Sequence, residues 1–191
     1  MVLEFNLSGT LNALKLLWNP KLCLPKTVIS NFGELTVPLH SEIKAVVLDK
    51  DNCFAYPHDD KVWPEYDNVW KRLLIAYPDS HLLIVSNTAG TNVDAEHKQA
   101  QMLEANTGVH VLRHATKKPG CKDEVFKYFY DKQIVKSPSE IAIVGDRLFT
   151  DIVMANMMGS YSIWIKDGVK PSNSPFVLLE HKLYDLLNPG N

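Results

Sequence analysis

The chain has 191 residues, of which 46% are hydrophobic and 22% are charged, with a formal net charge of −2. These values are typical of a globular domain with a sizeable core, and the near-neutral charge gives no sign of a nucleic-acid partner. Its apolar runs are shorter than the roughly 18 residues that a membrane-spanning helix needs. Its three cysteines are scattered along the chain, which favours a reducing compartment over a disulfide framework.

The first 40 residues are predicted to form a membrane-associating segment. Large apolar residues recur at helical spacing from Leu3 to Trp18, and Asn19-Pro20 would end this amphipathic helix. The stretch from Leu22 to Ile29 is apolar again but broken by Pro25, and lysines lie at positions 21 and 26. Such a segment can lie in a membrane interface with its lysines at the headgroups. Packing of the same helix on the rest of the protein is the alternative.

Residues 41–191 are predicted to form one α/β domain. The strand-like runs are Ile43–Leu48, His81–Val85, Val109–Leu112, Ile141–Val144 and Ser160–Ile165. Helical patterns lie near Glu65–Ala76, Asp94–Asn106, Lys122–Tyr130, Thr150–Met158 and Pro175–Leu187. This alternation predicts a parallel sheet of about five strands with helices on both faces, which is a three-layer Rossmann-like fold.

Carboxylates follow two of the predicted strands. Asp49 and Asp51 come directly after the first strand, and Asp146 and Asp151 follow the fourth. The carboxyl ends of the strands are where ligands bind in an open α/β sheet. Converging carboxylates repel one another unless a cation lies between them. The pattern therefore predicts a hard divalent metal and phosphate chemistry.

Two further strand ends carry polar groups. Ser86 and Asn87 offer a hydroxyl and an amide after the second strand, and a basic loop that contains Lys117 and Lys118 follows the third. Each group alone is weakly informative. Four such groups in a fixed order along the chain are a strong indication of one site.

This ordered set resembles the haloacid dehalogenase-like phosphatase superfamily over about residues 43–168, and Gly145-Asp146 through Asp151 is similar to the fourth motif of subclass IIIA. The resemblance implies that Asp49 attacks phosphorus as a carboxylate and forms an aspartyl-phosphate. Asp51 would act as general acid and then as general base. Lys118 would neutralise charge on the phosphoryl group.

The resemblance also implies a Mg²⁺ site and phosphate contacts. Mg²⁺ would be held by the Asp49 carboxylate, the Asp51 backbone carbonyl and Asp146. Asp151 would act through a bound water or by orienting the catalytic lysine. The residues expected to contact phosphate or substrate are Ser86, Asn87, Lys117, Arg113 and His114.

A narrower resemblance is to the mitochondrial phosphatidylglycerophosphatases. It is carried by the runs Leu48–Phe54, Ser86–Gly90, His114–Pro119 and Trp18–Pro25. That family removes the terminal phosphate of phosphatidylglycerophosphate and produces phosphatidylglycerol, the precursor of cardiolipin. The resemblance implies a phospholipid substrate and peripheral association, through the N-terminal segment, with the matrix side of the inner mitochondrial membrane.

The interval from Asp51 to Ser86 and the interval from Ser86 to Lys118 each leave room for about one helix and one strand. No cap domain is therefore expected. An uncapped site suits a phosphate presented on a membrane, although some uncapped enzymes close their site by forming a homo-oligomer. The N-terminus lacks the Arg-rich pattern of a strong transit peptide. The alternative localisation is therefore the cytoplasmic face of the membrane in a bacterium. The alternative function is a soluble subclass IIIA phosphatase acting on a phosphosugar or a nucleotide.

Overall fold

The computed structural model describes residues 18–188, so the predicted helix from Leu3 to Trp18 lies outside the described residues except for its last residue. Five parallel strands form one sheet in the order β1-β5-β4-β2-β3. The strands are β1 Thr27–Ile29, β2 Ala45–Leu48, β3 Leu82–Ile84, β4 Ile141–Gly145 and β5 Tyr161–Ile165. The helices are α1 Asp67–Ala76, α2 Lys98–Thr107, α3 Lys122–Asp131, α4 Val153–Met158 and α5 Pro175–Leu187.

Strand β2 lies inside the sheet and is buried on both faces. Val46 and Leu48 pack in the core that includes residues of α1 and α2, whereas Ala45 and Val47 pack with residues of α3 and α4. Each buried Val or Leu contributes roughly 1.5–3 kcal/mol relative to an exposed one, which explains the continuous apolar run. The predicted three-layer Rossmann-like fold is confirmed.

The edge strand β1 corrects the predicted segment boundary at residue 40. Thr27–Ile29 pairs with β5, and Val28 lies in register with Trp164. Cys23 belongs to the same buried cluster as Trp164, and both Phe32 and Leu35 are buried in the core. The apolar residues and lysines of this segment predict a position at a membrane interface. Residues 20–40 instead belong to the α/β domain.

The predicted strand Val109–Leu112 is wrong. Only one isolated bridge, between Ile84 and Val111, joins this stretch to β3. This bridge consists of two hydrogen bonds, from the Ile84 N–H to the His110 carbonyl at 2.8 Å and from the Leu112 N–H to the Ile84 carbonyl at 2.9 Å. The Val111 N–H points away from β3 and donates to the Glu104 side chain at 2.9 Å. The sheet still has the predicted five strands, because β1 is present in place of this one.

Few elements lie between the sheet and the solvent at the carboxyl ends of the strands. The connection from Asp51 to Ser86 contains the single α-helix α1, and the connection from Ser86 to Lys118 contains α2. Within residues 18–188 there is no separate cap unit. No helix in this part of the chain is long and apolar enough to cross a membrane.

Candidate active site

The candidate site lies at the topological switch point of the sheet, where β2 is flanked by β3 on one side and β4 on the other. Asp49 follows β2, and its N–H donates to the Val144 carbonyl on β4 at 2.9 Å. Asp146 follows β4, and its backbone carbonyl accepts a hydrogen bond from the Trp164 indole at 2.9 Å. Ligands bind at this position in open α/β sheets. The backbone therefore fixes both carboxylates at one edge.

Three carboxylates converge at this edge. Ligand oxygens of Asp49, Asp146 and Asp151 all lie within 4.8 Å of one another. Burial, together with the negative charges of neighbouring aspartates, raises the pKa of Asp49 to about 7. Burial and the charge of Asp49 also raise the pKa of Asp146 well above its ordinary value. A divalent cation would stabilise the ionised forms, and an all-oxygen donor set suits Mg²⁺.

Lys118 connects two of these carboxylates. Its side chain is 2% exposed, and its ammonium group forms ion pairs with Asp49 and, at 2.6 Å, with Asp151. Burial lowers the pKa of Lys118, but the charges of these two aspartates outweigh burial and raise the pKa above its ordinary value. The Lys118 N–H donates to Asn87 Oδ1 at 2.8 Å. Asn87 therefore positions the loop that carries the lysine, in addition to lining the cleft.

Gly145 allows Asp151 to reach the site. A Cβ atom at residue 145 would lie 2.3 Å from Asp151 Cγ and 2.4 Å from its Oδ2. We expect Gly145→Ala to displace this carboxylate, with a destabilisation of about 1–3 kcal/mol from overpacking. A misplaced group in the site should also lower kcat by roughly 10²-fold. Thermal unfolding and phosphatase kinetics measure the two effects.

Gly108→Ala is the matched control. Gly108 has a φ of +72° and open space around a built Cβ, so alanine there adds backbone strain away from the cleft. This variant should lower the melting temperature and leave kcat unchanged. Equal kcat for Gly145→Ala and the wild type would show that Asp151 does not need its observed position.

Ser86 and His114 are both buried, and neither is among the residues that line the cleft. Ser86 is buried, and its hydroxyl accepts a hydrogen bond from the Thr88 N–H at 3.2 Å. The His114 ring contacts the Ser86 carbonyl at 3.0 Å through Nε2 and the Thr116 carbonyl at 2.8 Å through Nδ1. The predicted substrate contact of His114 is therefore corrected, because the ring joins two loops. Ser86 remains a predicted phosphate ligand.

Arg113 also has a different role from the predicted one. Its guanidinium pairs with both carboxylate oxygens of Glu104 on α2, with 2.9 Å between Nη2 and Oε2, and donates to the Val111 carbonyl. Arg113 is not among the residues that line the cleft. The predicted substrate contact is corrected to a structural ion pair. Lys117 is half-buried beside Lys118 and stays a predicted substrate contact.

The C-terminal part of the domain forms a wall of the cleft that sequence reasoning missed. The cleft has a volume of about 280 Å³, and residues from this region that line it are Lys170, Ser172, Ser174 and Val177. Glu180 of α5 is fully buried and accepts hydrogen bonds from Arg147 Nε at 2.8 Å and from the Phe149 N–H at 2.9 Å. Arg147 lines the same cleft. Helix α5 is thus joined to the loop that carries Asp146.

Comparisons with known proteins agree with this arrangement of motifs. The sequence model of a family described as mitochondrial PGP phosphatase matches residues 7–170. Phosphatidylglycerophosphatase GEP4, mitochondrial, of Saccharomyces cerevisiae is 58% identical over 182 residues, which cover 95% of this chain and 98% of the relative. A Schizosaccharomyces pombe protein named probable phosphatidylglycerophosphatase, mitochondrial, is 27% identical over 97% of this chain and 94% of its own.

One solved structure also matches. A crystal structure of an uncharacterized protein from Listeria monocytogenes is 18% identical, with a TM-score of 0.44, and the match covers 69% of this chain and 85% of that one. From the matched family model and the 58% identical relative, the chain belongs to the mitochondrial PGP phosphatase family.

Proposed function

We propose that this protein removes the terminal phosphate of phosphatidylglycerophosphate and leaves phosphatidylglycerol. The observation that carries the proposal is the 58% identity, over nearly the full length of both chains, to a protein named phosphatidylglycerophosphatase. The cluster of Asp49, Lys118, Asp146 and Asp151 supports phosphoryl transfer, since it joins a buried carboxylate to a fixed cation.

The proposed reaction has two steps. Asp49 attacks the terminal phosphorus, so an oxygen–phosphorus bond forms to the carboxylate while the bond to the glycerol oxygen breaks. Asp51 gives its proton to that leaving oxygen. It then takes a proton from a water molecule, which attacks the phosphorus and breaks its bond to Asp49. Lys118 stabilises the charge on the phosphoryl oxygens in both steps.

The proposal includes Mg²⁺ as the cofactor, in line with haloacid dehalogenase-like enzymes. The Asp49 and Asp146 carboxylates and the Asp51 carbonyl would hold it, with Asp151 next to them. When bound, Mg²⁺ would offset the negative charge of the phosphoryl group and the aspartates. The fit rests on three convergent carboxylates, two of which have raised pKa values.

The cleft also offers cations for the second phosphate of the substrate, the phosphodiester that joins the glycerol headgroup to the lipid. Arg147 and Lys170 both line it. The Arg147 Nε–Glu180 bond holds the plane of the guanidinium, so ordering this side chain on binding costs little entropy. Arginine recognises phosphate oxygens through paired hydrogen bonds. We therefore place the phosphodiester near Arg147.

Replacement of Arg147 by methionine is expected to raise KM for phosphatidylglycerophosphate about 10- to 100-fold, because hydrogen bonds to charged groups contribute roughly 1.5–3 kcal/mol. The KM for p-nitrophenyl phosphate, which has a single phosphate, should change little. Steady-state kinetics on both substrates gives the comparison. Arg72→Met is the control, since Arg72 donates to the Leu35 carbonyl on the α1 side of the sheet. Equal losses on both substrates for Arg147→Met would contradict this role.

Phosphate release from a panel of substrates tests the proposed function. The panel contains phosphatidylglycerophosphate in mixed micelles, soluble sugar phosphates and nucleotides, all with Mg²⁺. The proposal predicts fast release from the lipid and slow release from the soluble esters. Fast release from a phosphosugar or a nucleotide, with none from the lipid, would instead establish the soluble phosphatase as the function.

We also propose peripheral association with the matrix side of the inner mitochondrial membrane through the residues that precede the α/β domain. The support is the lipid substrate and the word mitochondrial in the names of two relatives. Flotation of the full chain with vesicles that contain anionic lipid tests this. Failure to float at low salt would contradict membrane association.

A further inference from the structure

Lys50 lies between the two aspartates of the first motif and is buried. The residue is only 3% exposed. Its Nζ lies 2.8 Å from Asp51 Oδ1, 2.9 Å from the Asp59 carbonyl and 3.8 Å from Asp60 Oδ1. A buried ammonium group is costly unless its donors are satisfied, and here oxygens surround it. The lysine is thus fixed in place beside Asp51.

The same oxygen of Asp51 accepts a second hydrogen bond. The His58 N–H donates to Asp51 Oδ1 at 2.7 Å, from a backbone with a φ of +69° that turns the chain back toward the motif. An oxygen that already accepts from an ammonium and an amide is a poor position for a proton. Both of these hydrogen bonds involve Oδ1, and neither involves Oδ2.

We propose that Lys50 is a positioning residue for Asp51. It holds Oδ1 and leaves Oδ2 as the oxygen that gives the proton to the leaving group and later accepts one from water. This inference rests on the proposed function for the roles of Asp51.

Such a tether is needed because Asp51 is more open to solvent than its neighbours in the site. Its side chain is 35% exposed, whereas that of Asp49 is 12% exposed and that of Asp151 is 1% exposed. A partly exposed carboxylate that is not tethered can adopt several rotamers. General acid catalysis needs the donor within hydrogen-bond reach of the leaving oxygen. Lys50 therefore acts on the rate of leaving-group departure.

The test compares leaving groups in a Lys50→Met variant. The kcat/KM value covers steps only up to ester cleavage, so it isolates the acid role of Asp51 from its base role. Nitrophenolate leaves without a proton, whereas the alkoxide of phosphatidylglycerophosphate and the phenolate of phenyl phosphate benefit from one. We expect kcat/KM to fall about 10- to 100-fold for the lipid and for phenyl phosphate, since general acids contribute roughly 10²–10⁴-fold. For p-nitrophenyl phosphate it should fall less than about threefold.

Further variants keep the test decisive. Lys50→Gln retains a donor without the charge, should give the same pattern in weaker form, and replaces Lys50→Met if that variant fails to fold. Lys44→Met is the control, because it breaks the 2.7 Å ion pair with Glu140 at the opposite end of β2. This variant should leave kcat/KM unchanged for the lipid and for both aryl phosphates. An equal loss on all esters, or none, would overturn the positioning role. If wild type hydrolyses only the aryl phosphates, the proposed function fails while the two aryl phosphates still test Lys50.

Discussion

Replacement of Asp49 by asparagine is expected to lower kcat for phosphatidylglycerophosphate by at least about 10⁴-fold, as loss of a nucleophile does in other covalent enzymes. An amide cannot attack phosphorus or form the acyl phosphate. The substitution also removes one of three clustered negative charges, so it should not unfold the protein in the absence of metal. Phosphate release and thermal unfolding, measured on the same preparation, separate chemistry from stability.

Asp67→Asn is the control for this substitution. Asp67 is an exposed residue of α1 that pairs with Lys71 at 2.6 Å, and exposed pairs of this kind contribute at most about 1 kcal/mol. It should retain wild-type kcat. Substantial turnover by Asp49→Asn would show that the reaction proceeds through a different nucleophile.

Metal removal is the second change with a large expected effect. EDTA should abolish activity, and Mg²⁺ should raise the melting temperature of the wild type because it binds the folded state. Asp146→Asn should lose this stabilisation by Mg²⁺ and lower kcat/KM by about 10²–10³-fold, since a preorganised charge contributes that much to phosphoryl transfer. Melting curves with and without Mg²⁺ provide a readout that does not depend on turnover.

The control for the metal experiment is Asp185→Asn, on the exposed side of α5, which should keep the full Mg²⁺-dependent shift. The same shift in Asp146→Asn would contradict the assignment of Asp146 as a ligand. Full activity of the wild type in EDTA would exclude Mg²⁺ from the mechanism.

The acidic residues of the site could be placed from the sequence because their signal is local. Asp49 and Asp146 directly follow apolar runs that are buried on both faces, and a parallel sheet brings the ends of such strands to one edge. Lys118 lies in the basic loop that follows residues 109–112. Its ion pairs with Asp49 and Asp151 bring the predicted lysine together with two of the predicted carboxylates.

Boundaries that depend on tertiary contacts could not be placed. Strand β1 has three residues and exists because it pairs with β5, which is more than 130 positions later. Helix α2 was predicted to begin at Asp94 but begins at Lys98, because Glu96 and His97 have left-handed backbones. Neither feature has a periodic pattern that the sequence alone could reveal.

Residues that support the site indirectly were also missed or misplaced. Arg113 lies close to the motif lysine in sequence, but its ion pair with Glu104 directs it to α2. Glu180 precedes Leu183, Tyr184 and Leu187 at the spacing of the packed face of α5, and an acid at a core position was the available signal. Lys50 had the same kind of signal, since it lies two residues after the end of a buried strand and a lysine that is buried there needs acidic partners.

Trapping of the phosphorylated enzyme is the decisive experiment for the proposed role of Asp49 as the nucleophile. The protein is mixed with phosphatidylglycerophosphate and Mg²⁺, quenched in acid within the first turnover and reduced with borohydride. Peptide mass spectrometry then locates the modified residue. We expect Asp49 to be converted to homoserine, because borohydride reduces an acyl phosphate to an alcohol. Phosphate release with Asp49 unmodified, or modification of a different residue, would contradict it.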